Sequence, residues 1–324
     1  MYNQPETILE QYDLDIKQIS KGRGVFICET DRGIKLLAPF RGSKERAAFL
    51  RSILQEIKEQ GFPAEQILVT KEGEALAEDE SGMRYCLKDM VQGSECSTGR
   101  EEDMEGALDC LAGLHTVLLQ CTAEIPEFMR NERNEPAEMY RRRYRELIKV
   151  KNYVRTRKSH NEFERKFLEQ YAHYIENASE AVAFLEQEKK NGNCHKLCHG
   201  DFNQHNALHT ADGMRIINFE NLCCNEPVVD LANFLRKMME KNSWDRKLGM
   251  RLLEVYDKKR ELSAYEWKLV YVLLLFPEKF WKISNHYSNS HKAWVSERNI
   301  EKMNRMIAVE PARTDFLENL FSLL

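Results

Sequence analysis

The sequence predicts an α+β protein of two lobes, a small antiparallel-sheet lobe over 1–95 and a larger helical lobe over 96–324. Three observations predict it. Before Gly93, short apolar runs alternate with glycine and aspartate turns, which is how strands and hairpins read. From Arg100 onward apolar residues recur at helical spacing. Inside that helical region one hairpin intervenes: Ala207-Leu208-His209, the turn Ala211-Asp212-Gly213, then Met214 to Ile217. A chain of 324 residues can bury a large core and divide in two.

In the small lobe, Ile16 to Ser20 and Val25 to Cys28 are strands joined by the turn Lys21-Gly22-Arg23-Gly24. Such glycines can let backbone amides approach phosphates, but a plain hairpin needs nothing more from them. Ile34 to Leu37 is the third strand. Ser43 then caps a helix running to about Gly61, with Leu50, Ile53, Leu54 and Ile57 on one stripe. Ile67 to Thr70, Glu74 to Ala77 and Arg84 to Met90 supply further strands. Lys88 to Gly93 falls where a hinge between lobes belongs and ends in a flexible glycine.

In the large lobe, Met104, Ala107, Leu108, Leu111, Ala112 and His115 line one face of a helix ending near Cys121. Tyr140 to Lys158 is strongly basic: nine cations against Glu146 give 9 − 1 = +8. Such a run suits phosphate, nucleic acid or an acidic partner, and equally a solvated face whose charges pair elsewhere. No aromatic stacking platform accompanies it, so nucleic acid is not expected as a partner. Asn161 to Gln187 continues as a helix, and Lys189 to Asn193 breaks it. After Asp230 the stripes Leu231, Phe234, Leu235, Met238 and Leu248, Leu252, Leu253, Tyr256 return to helix. Three of the four tryptophans lie between Trp267 and Trp294, so the tail is expected to dock on the body.

The segment 197–230 carries the chemistry. Leu197-Cys198 leads into His199-Gly200-Asp201, and Asn206 follows five residues after Asp201. The return strand of the hairpin delivers Asn218, Phe219 and Glu220 beside that loop. Asp230 opens the next helix, where it can cap the helix or brace the loop. Phosphoryl transfer requires a carboxylate that takes the proton of an attacking hydroxyl and further oxygens that hold magnesium on the phosphates.

This ordered set, His-Gly-Asp-x4-Asn, a hairpin and a second acidic cluster, resembles the aminoglycoside-phosphotransferase-like branch of the protein-kinase fold. The resemblance implies Asp201 as the catalytic base, ATP and magnesium as cofactors, and Asn206 with Asn218 or Glu220 as metal ligands. It also implies a strand lysine on the phosphates, for which Lys35 is available, although a shifted register puts Ala38 there. Met90 at the hinge is the implied nucleotide contact, and Glu45 or Glu56 the helix glutamate that orients the lysine. One departure stands out: Asn218 occupies the place where that family has a metal-binding aspartate. An amide oxygen brings no full charge to a hard cation, and only Glu220 can compensate.

Net charge is 48 − 52 = −4, which gives no overall pull toward nucleic acid or membranes. The first residues lack the basic and apolar regions of a signal peptide, and the longest apolar run, Leu269 to Phe276, is too short to span a bilayer. Nine scattered cysteines read as free thiols in a reducing, cytoplasmic compartment. The cluster Cys194, His195, Cys198, His199 with Cys223 and Cys224 has soft-ligand density but no Cys-x2-Cys spacing.

Across nearly its whole length the chain further resembles the CotS family of bacterial spore-coat proteins, including its YutH-like members. The phrases that carry it are Gly61-Phe62, Tyr85 to Gly93, Arg145-Glu146-Leu147 to Phe163-Glu164, His199 to Asn206, and Pro277 to Trp281 with Lys292-Ala293-Trp294. It implies a protein made in the mother cell and associated with the spore coat, with other coat proteins as partners. Two functions stay open. The chain is a structural or assembly protein, or weakly active kinase-like protein, with a degraded metal site. Alternatively it is an ATP- and magnesium-dependent phosphotransferase acting on an alcohol group of a small hydroxylated molecule.

Overall fold

A computed structural model describes residues 5–130, 135–188, 196–289 and 297–324. A short helix α1 (Pro5–Leu9) precedes the strands β1 (Ile16–Lys21), β2 (Phe26–Thr30) and β3 (Gly33–Pro39). Helix α2 (Lys44–Glu59) follows, then β4 (Ala77–Glu78) and β5 (Arg84–Asp89). The five strands form one antiparallel sheet in the order β1-β2-β3-β5-β4. Ser43 starts α2 as expected, its hydroxyl accepting the Arg46 amide.

The two faces of this sheet have different fates. Cross-strand partners share a face, so Cys28, Lys35 and Asp89 lie together, as do Ala38 and Cys86 on the other side. The first face packs Cys28, Leu37, Tyr85 and Leu87 against Ile8, Leu9 and Tyr12. The second turns toward Ile53, Leu54 and Ile57 of α2 and carries Cys86 into the main core. Residues 67–70, expected as a strand, contribute only the bridge Ile67↔Lys88. The Leu68 N–H still reaches the Leu87 carbonyl, but Thr70 closes a turn instead, its N–H on Glu74 O and its carbonyl accepting the Gly73 N–H. The strand expected at Glu74 to Ala77 is reduced to β4 at the other end of the same edge of β5.

Beyond β6 (Ser94–Glu95) the chain is mainly helical: α3 (Glu101–Leu118), α4 (Glu127–Arg130), α5 (Pro136–Arg155) and α6 (Glu162–Gln187). Asn161 and Glu164 form a reciprocal capping box at the start of α6. The expected break at Lys189 to Asn193 lies outside the described residues. Then come β7 (Leu197–Cys198), the hairpin β8 (Ala207–Thr210) and β9 (Gly213–Ile216), a 3-10 turn (Phe219–Asn221) and β10 (Cys223–Cys224). Helices α7 (Val228–Lys241), α8 (Arg246–Lys259), α9 (Ala264–Leu275), α10 (Glu278–Asn289) and α11 (Glu297–Phe321) complete the larger part.

Strand β6 pairs with β8, while β7 pairs with β10. These short ladders hold the two halves of segment 197–230 side by side. The tail is docked as expected: Trp281 Nε1–H donates to Glu146 of α5 at 2.7 Å, and Arg143 lies over the Trp281 ring. The phrase Lys292 to Trp294 lies outside the described residues. Among those described, no helix is long and apolar enough to cross a membrane.

Candidate active site

The loop after β7 turns sharply at Gly200, where φ is +81° and an added Cβ would fall 2.0 Å from the Asn221 carbonyl oxygen. Only glycine fits this close approach. Asp230, at the start of α7, holds the turn. Its Oδ2 accepts the His199 N–H at 2.7 Å and its Oδ1 the Gly200 N–H at 3.0 Å. The brace expected of Asp230 is therefore in place. His199 adds a second tie: its Nδ1 accepts the Asp201 N–H, so the proton sits on Nε2 and is donated to the Ile217 carbonyl at 2.9 Å. One imidazole thus joins the loop to the end of β9.

His115 of α3 lies beneath. It is fully buried, with Nε2 3.3 Å from Asp230 Oδ2 and Nδ1 2.7 Å from the Tyr256 hydroxyl. Burial lowers its pKa below the ordinary imidazole value, and Asp230 only partly opposes this. The folded protein therefore keeps His115 neutral where the unfolded chain takes a proton. Stability is then whole above about pH 6.5 and falls as pH drops through that value toward the lower folded pKa. Urea unfolding between pH 7.5 and 5 should show this loss, and His115→Gln should flatten the slope. An unchanged slope in the variant would assign the pH dependence elsewhere.

Asp201 is exposed at the mouth of the cleft, where its Oδ1 accepts only a long 3.3 Å bond from Asn203. Asn206 is buried. Its Nδ2 donates to the Asp201 carbonyl at 2.9 Å, and its Oδ1 accepts from Asn218 Nδ2 at 2.8 Å. Asn218 adopts a left-handed conformation, φ 64° and ψ 57°, at the start of the 3-10 turn. Asparagine tolerates that region better than most residues, so the side chain and the backbone requirement agree here.

The remaining partners come from the small sheet. Lys88 of β5 is buried, and its ammonium lies 2.8 Å from Glu220 Oε1, 3.0 Å from Asn218 Oδ1 and 3.3 Å from Glu65 Oε1. Glu65 Oε1 also accepts the Asn218 N–H at 2.8 Å and the Phe219 N–H at 3.3 Å. Burial alone would lower the Lys88 pKa. The carboxylates of Glu65 and Glu220 outweigh it and raise the pKa, so Lys88 is a fixed cation.

The structure thus brings Asn206, Asn218 and Glu220 together, with Asp201 at the same loop, and does not bring Lys35 to them. Lys35 lies on the opposite face of the sheet and bonds Asp89 at 2.7 Å. Ala38 shares the cleft-side face with Cys86 and Lys88, as the shifted register has it. Met90 is half-buried at the hinge, its N–H on the Ile34 carbonyl. Glu45 is exposed, and Glu56 accepts from the Thr122 N–H and hydroxyl, so neither orients Lys88. That part is taken by Glu65. Sequence reasoning passed over Lys88 and Glu65 as a pair. One signal was present: Lys88 follows Cys86 at a spacing of two, so it shares that residue's face in a strand buried on both sides.

Cys198 and Cys223 face each other with sulfurs 3.6 Å apart as free thiols, while Cys194 and His195 lie outside the described residues. Among the described residues no group of three or more His, Cys, Asp or Glu side chains is placed to hold a metal.

A cavity of about 1850 Å³ opens between the sheet, α5 and the 197–230 segment, and Asp201 and Glu220 are on its wall. This arrangement of sheet, hinge, helical part and loop is that of a phosphotransferase-like fold. An aminoglycoside phosphotransferase from Alicyclobacillus acidocaldarius superimposes with a TM-score of 0.83 at 19% identity, covering 98% of this chain and 96% of that one. Amicoumacin kinase, solved in complex with AMP-PNP, Ca2+ and Ami, superimposes with a TM-score of 0.64 at 12% identity, covering 100% of this chain and 98% of that one. At those identities the likeness establishes the fold. In sequence, spore coat protein S of Bacillus subtilis is 26% identical over 316 residues, 94% of this chain and 89% of that protein. The family model described as "Spore coat putative kinase YutH" matches residues 5–320, and the chain belongs to that kinase-like spore-coat family.

Proposed function

We propose that this chain is a kinase-fold protein of the spore coat whose cleft holds a ligand without metal-dependent phosphoryl transfer. One observation carries the reading: the Lys88 ammonium lies between Glu65, Asn218 and Glu220, where the oxygens expected to take magnesium converge. Magnesium demands near-octahedral oxygen ligands and one or two carboxylates beside the phosphates. Here Glu220 and the Asn218 oxygen already serve a cation, and the Asn206 oxygen holds the Asn218 amide. A divalent ion does not fit these donors as they stand. The charge a metal would neutralise is neutralised from within the protein, by a side chain that cannot leave.

Membership of the spore-coat family supports a site of action at the coat, after synthesis in the mother cell, with other coat proteins as partners. A second reading, ATP-dependent phosphotransfer to a small hydroxylated molecule, is favoured by Asp201, which stands exposed at the cavity wall as an acceptor base must.

Isothermal titration of ATP with and without magnesium separates them. On the first reading any ATP binding is unchanged by magnesium in the native chain. Magnesium dependence should appear in Lys88→Met/Asn218→Asp, where the ammonium is gone and a carboxylate restored. Native binding that tightens about tenfold or more with magnesium, with turnover that falls about 10²–10⁴-fold in Asp201→Ala, would establish the second.

A further inference from the structure

Most of the basic stretch expected from sequence falls into two sets in the structure. Arg141 pairs with Glu186, Arg143 with Glu278 and Arg157 with Glu164, while Lys151 stacks on Tyr171. Three others, Arg142, Arg145 and Lys149, fall three and four residues apart on α5 and line the large cavity. Each is exposed and, among the described residues, none has a carboxylate partner. Arg41 faces them across the cavity from the small sheet, also exposed and without an ion pair.

The carboxylates of the same wall are spoken for. Glu220 serves Lys88, Glu146 accepts from the Trp281 indole, and Asp230 holds two backbone amides. Glu138 has a partner as well. Among the described residues of this wall, Asp201 alone has no ion pair and only a long bond to Asn203. The uncommitted charge around this cavity is therefore three guanidinium groups and an ammonium against one carboxylate. Guanidinium pairs oxygen anions in a planar, two-pronged way that suits phosphate and carboxylate groups.

We infer that the cleft beside Asp201 is a site for a small polyanion, a molecule bearing phosphate or carboxylate groups, held by Arg41, Arg142, Arg145 and Lys149. The inference extends the reading above only in taking this cleft as a ligand site, and it needs neither metal nor turnover. A polycationic aminoglycoside is the wrong sign for these walls. Exposed Phe128 at the same cavity adds an apolar surface on which the ligand's uncharged portion can rest.

The test uses the full chain stripped of metal on a chelating resin, in a buffer free of small polyanions and without nucleotide, so that its result does not depend on the metal reading. Pyrophosphate, citrate and kanamycin are titrated calorimetrically at low and moderate sodium chloride. Pyrophosphate or citrate should bind and weaken steeply with salt, since the contacts are exposed charges. Kanamycin should not bind. Arg142→Gln/Arg145→Gln should weaken the anion about tenfold or more. Arg155→Gln/Lys158→Gln, the same charge change at the end of α5 and just beyond it, outside the cavity lining, should leave it unaltered. Binding of kanamycin, no binding of either anion, or equal losses in the two paired variants would overturn the inference.

Discussion

Replacing Lys88 with methionine is expected to destabilise the protein by about 3–5 kcal/mol, the usual effect of removing one partner of a buried ion pair. Lys88 and Glu65 are each only 4% exposed at the side chain. Without the ammonium, Glu65 keeps its two backbone donors, the Asn218 and Phe219 N–H groups, but loses its counter-charge. Lys88→Met/Glu65→Gln should recover part of the loss at pH 7. Urea titrations of the three proteins at pH 7 measure this. A loss below about 1 kcal/mol at pH 7 would mean that the pair behaves like a surface ion pair, and the fixed-cation reading of Lys88 would fail.

Asp230→Asn should be comparably damaging, by a different route. Asp230 is 2% exposed and both its oxygens accept, from the His199 and Gly200 amides and from His115. Asparagine offers one acceptor and turns an NH2 group toward a donor. At least one buried N–H loses its partner, at about 1–3 kcal/mol for each such group. The Gly200 turn depends on the same contacts, so ligand binding at the Asp201 cleft should weaken together with stability. Unfolding titrations, alongside pyrophosphate binding under native conditions, supply the comparison. A variant of native stability would show that the β7–β10 pairing alone holds the loop.

Much of the candidate site was readable from residue order. His199 to Asn206, the hairpin and Asn218 to Glu220 are close in the chain, and a tight turn of Ala211 to Gly213 must bring them side by side. The helices were equally readable, because their apolar stripes keep helical period and several start at explicit caps, Ser43 and Asn161 among them. The small sheet was readable in its strands but not in its faces. Period-two alternation says that Lys35 and Ala38 point to opposite sides, yet not which side meets the cleft. That was decided when α1 covered one face and α2 the other.

The sequence by itself determined the two-part fold, the Asp201 loop and the substitution at Asn218, since each is written in local pattern. The tertiary structure alone decided what the charges do. Lys88 lies 23 residues from Glu65 and 132 from Glu220, so nothing local links them, and only burial in one place makes their attraction strong. The basic helix was likewise undecided until Glu186, Glu278 and Glu164 arrived from α6 and α10 to neutralise one set of its cations. Coulomb energy depends on distance and surroundings, not on order along the chain. The cations left facing the cavity were therefore identifiable only after the other helices had docked.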